Sequence, residues 1–574
     1  MSALDWTVLL ITLFSVVSYG IYKSRGQKNL ESYFLSNRSL PWYLVLFSIM
    51  GTQASAITFL SAPGQAYTDG LRFVQYYFGL PLAMIVICAF FLPVYHRLKI
   101  YTVYEYLENR FDRKTRLFTS FLFLLQRGLS TGISIYAPSL ILSSLLGWNI
   151  HLTNLIMGGM LIIYTVSGGV KAISYTQTQQ LLIIFLAMFL AGYMAVHLLP
   201  EGWSFSDSLK IAGASGKLNV ITTGINDQGF DGKDKYNIFS GVIGGFFLAL
   251  SYFGTDQSQV GRYLTAQNLT ESRRGLLMNG FVKIPMQFLI LLCGALVFTF
   301  YTLYQSPVYY NTHMLETTRK SPYGNQLKEI ESRYDTLRKA SEQAAANLIH
   351  TAKSLQPEAR TTYKEQLQNL SKQSKEVREE AAQLIHTANP GSDTNDTNYI
   401  FLHFVVNNLP KGLVGLLIAI IFLAAWGSIA AALNSLSSTC VIDWHHRLRP
   451  KERDEKRDLY LSRFYTLGWG IFSILIAQLA GKMGSLIEAV NILGSLFYGT
   501  ILGIFVVALF IKTINGNQVF IAALLSEVVV ISIYLGDYVS FLWLNLIGCV
   551  LVMIISLSLY LFGFFHVKCE KNQS

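Results

Sequence analysis

Charge is scarce in this chain. Only 14% of its 574 residues are Asp, Glu, Lys or Arg, against about 25% in an ordinary soluble protein, while 52% are hydrophobic. That deficit excludes the string of soluble domains that length alone would suggest. Paired cysteines are also missing. Cys88, Cys293, Cys440, Cys549 and Cys569 are scattered, the first four in or beside apolar segments, so neither a zinc site nor a disulfide framework is indicated. The first apolar run, Trp6 to Tyr22, has no basic region before it and no small-residue cleavage site after it; it reads as a retained helix, not a signal peptide. No GxSxG, Walker, HExxH or paired Cys/His sequence occurs, which disfavours an enzyme. An ATP-driven pump is disfavoured too, because nothing would cradle phosphates. The ten histidines do not fall at metal spacing, and adjacent His445 and His446 lie in a basic loop where solvation accounts for them.

Apolar runs of about 20 residues, the length that spans a bilayer, recur instead along most of the chain. About thirteen fall near 5–23, 41–62, 74–95, 117–145, 150–168, 176–198, 236–257, 276–304, 408–438, 459–480, 485–511, 517–536 and 539–565. The expected class is an all-α, multi-pass protein of the inner (plasma) membrane. The net charge of +11 follows from Lys and Arg gathered in short loops and calls for no nucleic acid. Loops holding Arg25, Lys28 and Arg38, then Arg97 to Arg116, then Arg262 to Arg274, then Arg447 to Arg457 fall on one side, cytoplasmic by the positive-inside rule. The N-terminus is then outside, and the tail HVKCEKNQS is inside.

One stretch, about 305–400, is polar and nearly balanced in charge. Leu327 to Ala352 and Glu358 to Ala388 read as two helices, broken near Pro357 and stopped near Pro390 and Gly391. AAANLIHTA at 344–352 resembles EAAQLIHTA at 380–388. The expectation is an antiparallel helical hairpin standing on the outer face. A tolerated loop insertion and a lid or partner-docking element both fit it; no protein partner is legible.

Polar side chains inside spans are costly and point to function. Gln53, Ser55, Thr58 and Ser61 lie in SIMGTQASAITFLSAPG. That run reads either as a helix broken at the midplane, freeing carbonyls for a cation, or as a close-packed helix using small residues. Lys283, in NGFVKIPMQFLILLCG, lies about two turns into its span and either snorkels or serves the interior. Arg127 lies deeper, where snorkelling is harder. Tyr252 and Asp256 end the seventh span, and Glu488 and Asn491 begin the eleventh. LAAWGSIAAALNSLSSTCVID carries small residues and hydroxyls, as a buried face offering oxygens does.

Four blocks then carry a resemblance: YTVYEYLENRFDRKTR at 101–116, SGGVKAISYTQTQQ at 167–180, YFGTDQSQVGRYLTAQNLTESRRG at 252–275 and AAWGSIAAALNS at 424–435. In this order they resemble the sodium/solute symporters, a family that includes bacterial galactose, proline and sialic-acid symporters and mammalian iodide, monocarboxylate and multivitamin carriers. The resemblance covers nearly all of the chain outside 305–400. It implies a LeuT-like core of two inverted five-helix repeats around a midplane site. The expected divisions are 1–40 (first helix and loop), 41–198 (first repeat) and 199–304 (outer loop and two helices of the second repeat). They continue with 305–400 (insert), 401–511 (rest of the second repeat) and 512–574 (last two helices and tail).

The resemblance also implies a sodium site made of carbonyls at Gly51, Ala54 and Ala424 and the Ser428 hydroxyl. Gly427 stands where many relatives have a second hydroxyl; water or Ser55 could substitute. Gln177 stands where relatives with an additional sodium have Asp, and Ala430 and Ala431 replace helpful serines, so a second sodium is expected to be missing. Positions matching a sugar site are Thr58, Tyr77, Leu80, Ala249, Lys283 and Asn491. Only the lysine is retained, and Tyr77 replaces the acidic acceptor of sugar hydroxyls. The implied substrate set is Gln53, Thr58, Tyr77, Arg127, Tyr252, Lys283 and Asn491, with Lys283 and Arg127 favouring an anionic solute and Tyr252 covering it from the inner side. The leading reading is a sodium-coupled symporter in the lipid bilayer that imports a small organic or anionic solute by alternating access, a carboxylate or sialic-acid-like solute being favoured over a neutral sugar. A transporter-like receptor or sensor, or a sodium-independent carrier, is the alternative; no signalling domain is expected after Phe565.

Overall fold

The computed structural model describes residues 1–24, 30–167, 170–226, 229–353, 357–390, 394–448 and 455–563. The basic positions Arg25, Lys28, Arg449, Lys451 and Arg453, the Gly168–Gly169 pair of the second block and the HVKCEKNQS tail lie outside the described residues.

The fold is helical apart from a two-residue β-ladder, β1 (Ile225–Asn226) against β2 (Gly229–Phe230). Among the described residues ten stretches are long and apolar enough to cross a membrane, with two shorter apolar helices, Ile150–Val166 and Ser240–Thr255. In chain order come α1 (Ala3–Ser24), α2 (Trp42–Gln53) and α3 (Ala56–Asp69). A 3₁₀ stretch Gly70–Tyr77 leads into α4 (Leu80–Val86), a π-turn Ile87–Phe91 and α5 (Leu92–Leu98). Next are α6 (Arg113–Leu146), α7 (Ile150–Ser167), α8 (Val170–His197), α9 (Phe205–Ala214), α10 (Gly245–Thr255), α11 (Gln257–Tyr263) and α12 (Leu269–Leu303). The hairpin α13 (Gly324–Lys353) and α14 (Pro357–Ala388) follows, then α15 (Thr397–Asn408), α16 (Leu413–Thr439), α17 (Glu455–Ala477), α18 (Leu486–Phe510), α19 (Gly516–Leu535) and α20 (Phe541–Leu561).

Side-chain caps set several helix starts. Asp112 accepts from Thr115 N (2.8 Å) before α6, and Asn268 from Glu271 N (3.0 Å) before α12. Ser204 and Asp207 close a capping box on α9, as Asn515 and Gln518 do on α19. The small-residue helix α16 sits at the centre, with 89% of its apolar window buried against 22% for α1 at the periphery. Close helix approach follows from glycine where a Cβ would strike backbone, as at Gly294 against Pro63 of α3 and Gly64 against Thr397 of α15.

The hairpin is antiparallel as its sequence suggests, with Arg333 bridging to Glu380 (3.0 Å), and Pro357 opens the second helix rather than merely breaking the first. It does not stand free. The two similar segments put their apolar stripes into separate clusters: Ala344, Ala345, Leu348 and Ile349 pack with Ile211 and Leu303, and Ala381, Ala382 and Ile385 pack with Val308 and Leu315. The first cluster fastens the hairpin to α9 and the end of α12, and the second packs it on the 308–315 segment of the insert. The last residues of the 305–400 stretch belong to α15, which packs on α3 inside the bundle. His445 and His446 also differ from expectation: they are only partly exposed and bond Tyr465 OH (3.2 Å) and Asp458 (2.9 Å).

Candidate functional site

Two helices are interrupted in the middle of the bundle, and the interruptions are finished differently. Between α2 and α3, Ala54 (φ −82°, ψ 80°) and Ser55 (φ −81°, ψ 175°) leave the helical path. Ser55 N–H, which would close a helical bond to the Gly51 carbonyl, donates to Gln53 O instead (3.1 Å). Thr58 N–H, the natural partner of the Ala54 carbonyl, donates to Ser55 O (3.0 Å). The carbonyls of Gly51 and Ala54 thus lose these two helical partners at the break.

The second break, at Asp256 (φ −83°, ψ 119°) between α10 and α11, was not foreseen. Its carbonyls are already served: Tyr263 OH donates to Phe253 O (3.0 Å), Tyr95 OH to Gly254 O (2.8 Å) and Tyr104 OH to Thr255 O (3.2 Å). The Asp256 side chain caps α11 by accepting from Ser258 N (2.7 Å) and Oγ (2.6 Å). Its other oxygen is ion-paired with Arg127 and accepts from Tyr498 OH (2.8 Å). Arg127 also donates to Tyr498 OH (3.1 Å) and lies over the Tyr252 ring (5.4 Å). The structure thus places Arg127 and Tyr252 in one cluster, with the arginine ion-paired to Asp256. Tyr252 OH accepts from Gln259 Nε2 (2.6 Å).

Facing the first break is α16, which packs against both α2 and α3. Ser428 Oγ is buried and donates to Ala424 O (2.9 Å). Gln177 of α8 ties α2 to α16: its Oε1 accepts from Ser48 Oγ (3.0 Å), and its Nε2 donates to Thr52 Oγ1 (3.2 Å) and Gly427 O (3.1 Å). A Cβ at Gly51 would lie 2.9 Å from the Gln177 side chain, and one at Gly427 would lie 2.6 Å from Gln180 Oε1. The departure at Gly427 thus has a packing reason, because the two glutamines fill the space a hydroxyl residue would take.

The third part of the site is a polar stripe on α12. Asn279, Lys283 and Gln287, one turn apart, are each 0% exposed. The Lys283 ammonium, both polar ends of Asn279 and both of Gln287 have no hydrogen-bond partner among the described residues. Gln53 Oε1 at the first break is in the same condition. Each such atom costs about 1–3 kcal/mol when left unmatched, so three in succession on one helix face suit a site that a solute completes. Lys283 does not snorkel: it is enclosed, with its ammonium 5.4 Å from the centre of the Tyr77 ring. Tyr77 stacks edge-on to Tyr76 (4.7 Å), whose hydroxyl donates to Asn491 Oδ1 (3.1 Å). Thr58, Leu80 and Ala249 are buried, at the start of α3, the start of α4 and within α10. The residues sequence reasoning missed are Asn279 and Gln287, whose i, i+4, i+8 spacing with Lys283 in NGFVKIPMQ was a readable signal. Tyr498, which closes the Arg127–Asp256 pair, carried none.

The profile described as the Sodium:solute symporter family matches residues 33–313 and 380–526, leaving out most of the hairpin. The chain is 23% identical over 562 residues to the sodium/sialic acid symporter NanT of Aliivibrio fischeri, covering 96% of this chain and 92% of that protein. It is 24% identical to the sodium/sialic acid symporter SiaT of Proteus mirabilis, covering 96% and 93%. With the human sodium/iodide cotransporter it shares 31% over 306 residues, 52% of this chain and 46% of that one. A solved structure described as the substrate-bound outward-open state of a Na+-coupled sialic acid symporter superposes with a TM-score of 0.74 at 23% identity, covering 98% of each chain. The chain belongs to the sodium:solute symporter family.

Proposed function

We propose that this member of the family imports a small organic anion, a carboxylate or sialic-acid-like solute, together with one sodium ion. The observation that carries the anionic cargo is Lys283: a buried ammonium with no carboxylate ion-paired to it, flanked by amide groups that have no partners, among the described residues. Such a charge is expensive to bury unpaired, and an anionic solute supplies the missing partner by a charge-assisted hydrogen bond. The sialic-acid cargo of two relatives supports the class.

Sodium is assigned to the first break: carbonyls of Gly51 and Ala54 on one side, the Ala424 carbonyl and Ser428 hydroxyl on the other. These are neutral hard oxygens, suited to a monovalent cation that must also leave. The single-ion reading rests on N–H donors that occupy neighbouring oxygens: Gln177 Nε2 on Gly427 O (3.1 Å) and the buried Arg262 guanidinium toward Ala431 O (3.5 Å). The reading counts the ten long stretches, the two shorter helices and the separate crossings of the α2–α3 and α4–α5 segments as about thirteen spans. The spans from α2 to α8 and from α10 to α18 form two inverted repeats, each opening with an interrupted helix. Ion binding at the first break then biases rocking of the repeats between outward- and inward-facing states. The hairpin face is outside; a reporter placed after residue 353 is expected to be extracytoplasmic.

The test is uptake into proteoliposomes of N-acetylneuraminate and, separately, lactate, with a sodium or a choline gradient. Accumulation of at least one anion only with sodium is expected. Equal uptake in choline would refute sodium coupling, and uptake of neutral sugars alone would refute the anionic cargo.

A further inference from the structure

Between the hairpin and the bundle lies a cavity of about 610 Å³, roofed by α13 and α14 and floored by the ends of α3, α12 and α18 and the segment around Lys217. That volume suits a small organic solute. The roof is held at both ends. Beyond the two apolar clusters, Arg378 of α14 forks onto Asp396 (2.8 and 2.9 Å), donates to Val308 O (3.1 Å) and lies over the rings of Tyr310 (5.1 Å) and Tyr67 (5.6 Å). Tyr67 belongs to α3, so the hairpin is fastened to the interrupted helix itself.

The lining is cationic on balance. Lys217, Lys235, Arg338, Lys372, Lys375 and Arg378 face Asp69, Glu379, Asp396 and Glu488, six positive against four negative. Three of the six are committed: Lys235 to Glu488 (2.8 Å), Arg378 to Asp396, and Arg338 to Asp335 (3.0 Å) and Glu342 (3.1 Å). Lys375 is only at the edge of reach of Glu379 (4.0 Å) within its own helix. Lys372 has no ion pair among the described residues. Lys217, on the floor, donates to the Thr68 carbonyl (2.6 Å) and lies over the Phe298 ring (4.8 Å). Burial pushes the Lys217 ammonium down to about 8, with Asp69 opposing and Lys375 and Arg378 adding to the depression; the lysines of roof and floor thus feel one another across the space. Below the floor, Gln65 and Ser485 close the way with Glu488 (Ser485 Oγ to Gln65 Oε1, 3.2 Å). Asn491, which bonds Tyr76, is one turn further along the same helix as Glu488.

We propose that the hairpin and the outer mouth form a vestibule in which Lys217, Lys372 and Lys375 hold the organic anion before it passes to Lys283. This rests on the reading that the cargo is anionic. The hairpin lies mostly outside the part of the chain that the family profile matches. The vestibule's role is to raise the local concentration of anion at the mouth, as a cleft lined by one sign of charge does.

The experiment uses the full-length protein in proteoliposomes, with N-acetylneuraminate and lactate as probes. Lys372→Gln with Lys375→Gln changes exposed roof residues and leaves both apolar anchors intact. Its KM is expected to rise about threefold to tenfold at low ionic strength, with the maximal rate unchanged. The difference should shrink as choline chloride screens the charges. Lys339→Gln, on α13 outside the lining, is expected to leave KM alone. In sodium-free choline buffer, weak anion binding to the purified protein should survive Lys283→Met and disappear in the roof variant. Sodium-driven uptake with KM unmoved in the roof variant would overturn the vestibule and leave the anionic cargo standing. An equal rise in Lys339→Gln would also overturn it, because the effect would then come from hairpin charge in general. Failure of the unaltered protein to bind or take up either anion would overturn both readings together.

Discussion

Replacing Lys283 by Met tests the centre of the proposed mechanism. The substitution keeps the chain length and most of the packing and removes only the charge. In the solute-free protein the ammonium is fully enclosed, and its nearest favourable feature is the Tyr77 ring at 5.4 Å. A cation–π contact of that kind returns about 0.5–2 kcal/mol, whereas the effective cost of burying an unpaired ion is several kcal/mol. Lys283→Met should therefore raise the thermal unfolding temperature of the solute-free protein. With solute bound the balance reverses. A hydrogen bond to a charged group is worth about 1.5–3 kcal/mol, which corresponds to roughly tenfold to a hundredfold in affinity. Scanning fluorimetry without solute and equilibrium binding of the transported anion read the two halves separately. Sodium half-saturation measured without solute should not rise. Unchanged anion affinity in a correctly inserted variant would refute the anchoring role. A fall in unfolding temperature would refute the claim that the charge is unpaired.

Ser428→Ala is expected to raise the sodium concentration for half-maximal uptake with little change in folded yield, because it removes the one side-chain oxygen assigned to the ion; unaltered sodium dependence would remove Ser428 from the site. In the unaltered protein a sodium Hill coefficient near one is expected, and a clearly sigmoidal curve would refute the single ion. Asp256→Asn should destabilise by about 3–5 kcal/mol because it strands the Arg127 charge, and adding Arg127→Met should recover part of the loss; simple additivity in this cycle would show that the two do not act as a pair. Raising the pH from about 7 to about 9 discharges Lys217, whose ammonium is held near 8 by burial, with Lys375 and Arg378 adding to the depression and Asp69 opposing it. KM for a carboxylate that stays ionised throughout should then rise, and Lys217→Arg, always charged in this range, should flatten that rise. An identical pH profile in Lys217→Gln would exclude this lysine as the titrating group.

How much of this was legible in the sequence depended on whether the signal was local. The first break was readable because Gly51, Ser55, Ser61 and Pro63 interrupt one apolar run. The second was not: FGTDQSQ looks like a span running out into a polar loop, and α11 is only seven residues long, far short of a crossing. The hairpin helices were placed within a few residues of α13 and α14, since period and proline mark them. Where they pack was not, because it depends on Ile211 and Val308, which carry no mark of their own. Arg127 reads in sequence as a lone intramembrane cation. Asp256, 129 positions away, neutralises it, and no local pattern announces that. Lys283 stood out by charge alone, and the same criterion passed over Asn279 and Gln287, which share its face.

On the proposed reading, the two breaks give a reason for ion and solute to occupy different places in one site. At α10–α11 the released carbonyls are taken by three tyrosine hydroxyls and the charge of Asp256 is matched by Arg127. Among the described residues, the carbonyls of Phe253, Gly254 and Thr255 and the Asp256 carboxylate at that junction are thus already engaged. At α2–α3 the carbonyls of Gly51 and Ala54 lose their helical partners to neighbouring oxygens, and every group assigned to the ion there is neutral. A sodium bound at α2–α3 therefore adds a full positive charge to an interior that already contains Lys283. Two like charges in a low-dielectric space disfavour one another, and an anion that contacts the lysine relieves both. Sodium and anion would then each raise the affinity for the other by the same factor, as linkage requires, without needing to touch. On this argument Lys283→Met weakens more than solute binding: it removes the dependence of one ligand on the other, so sodium affinity measured with and without the anion should converge.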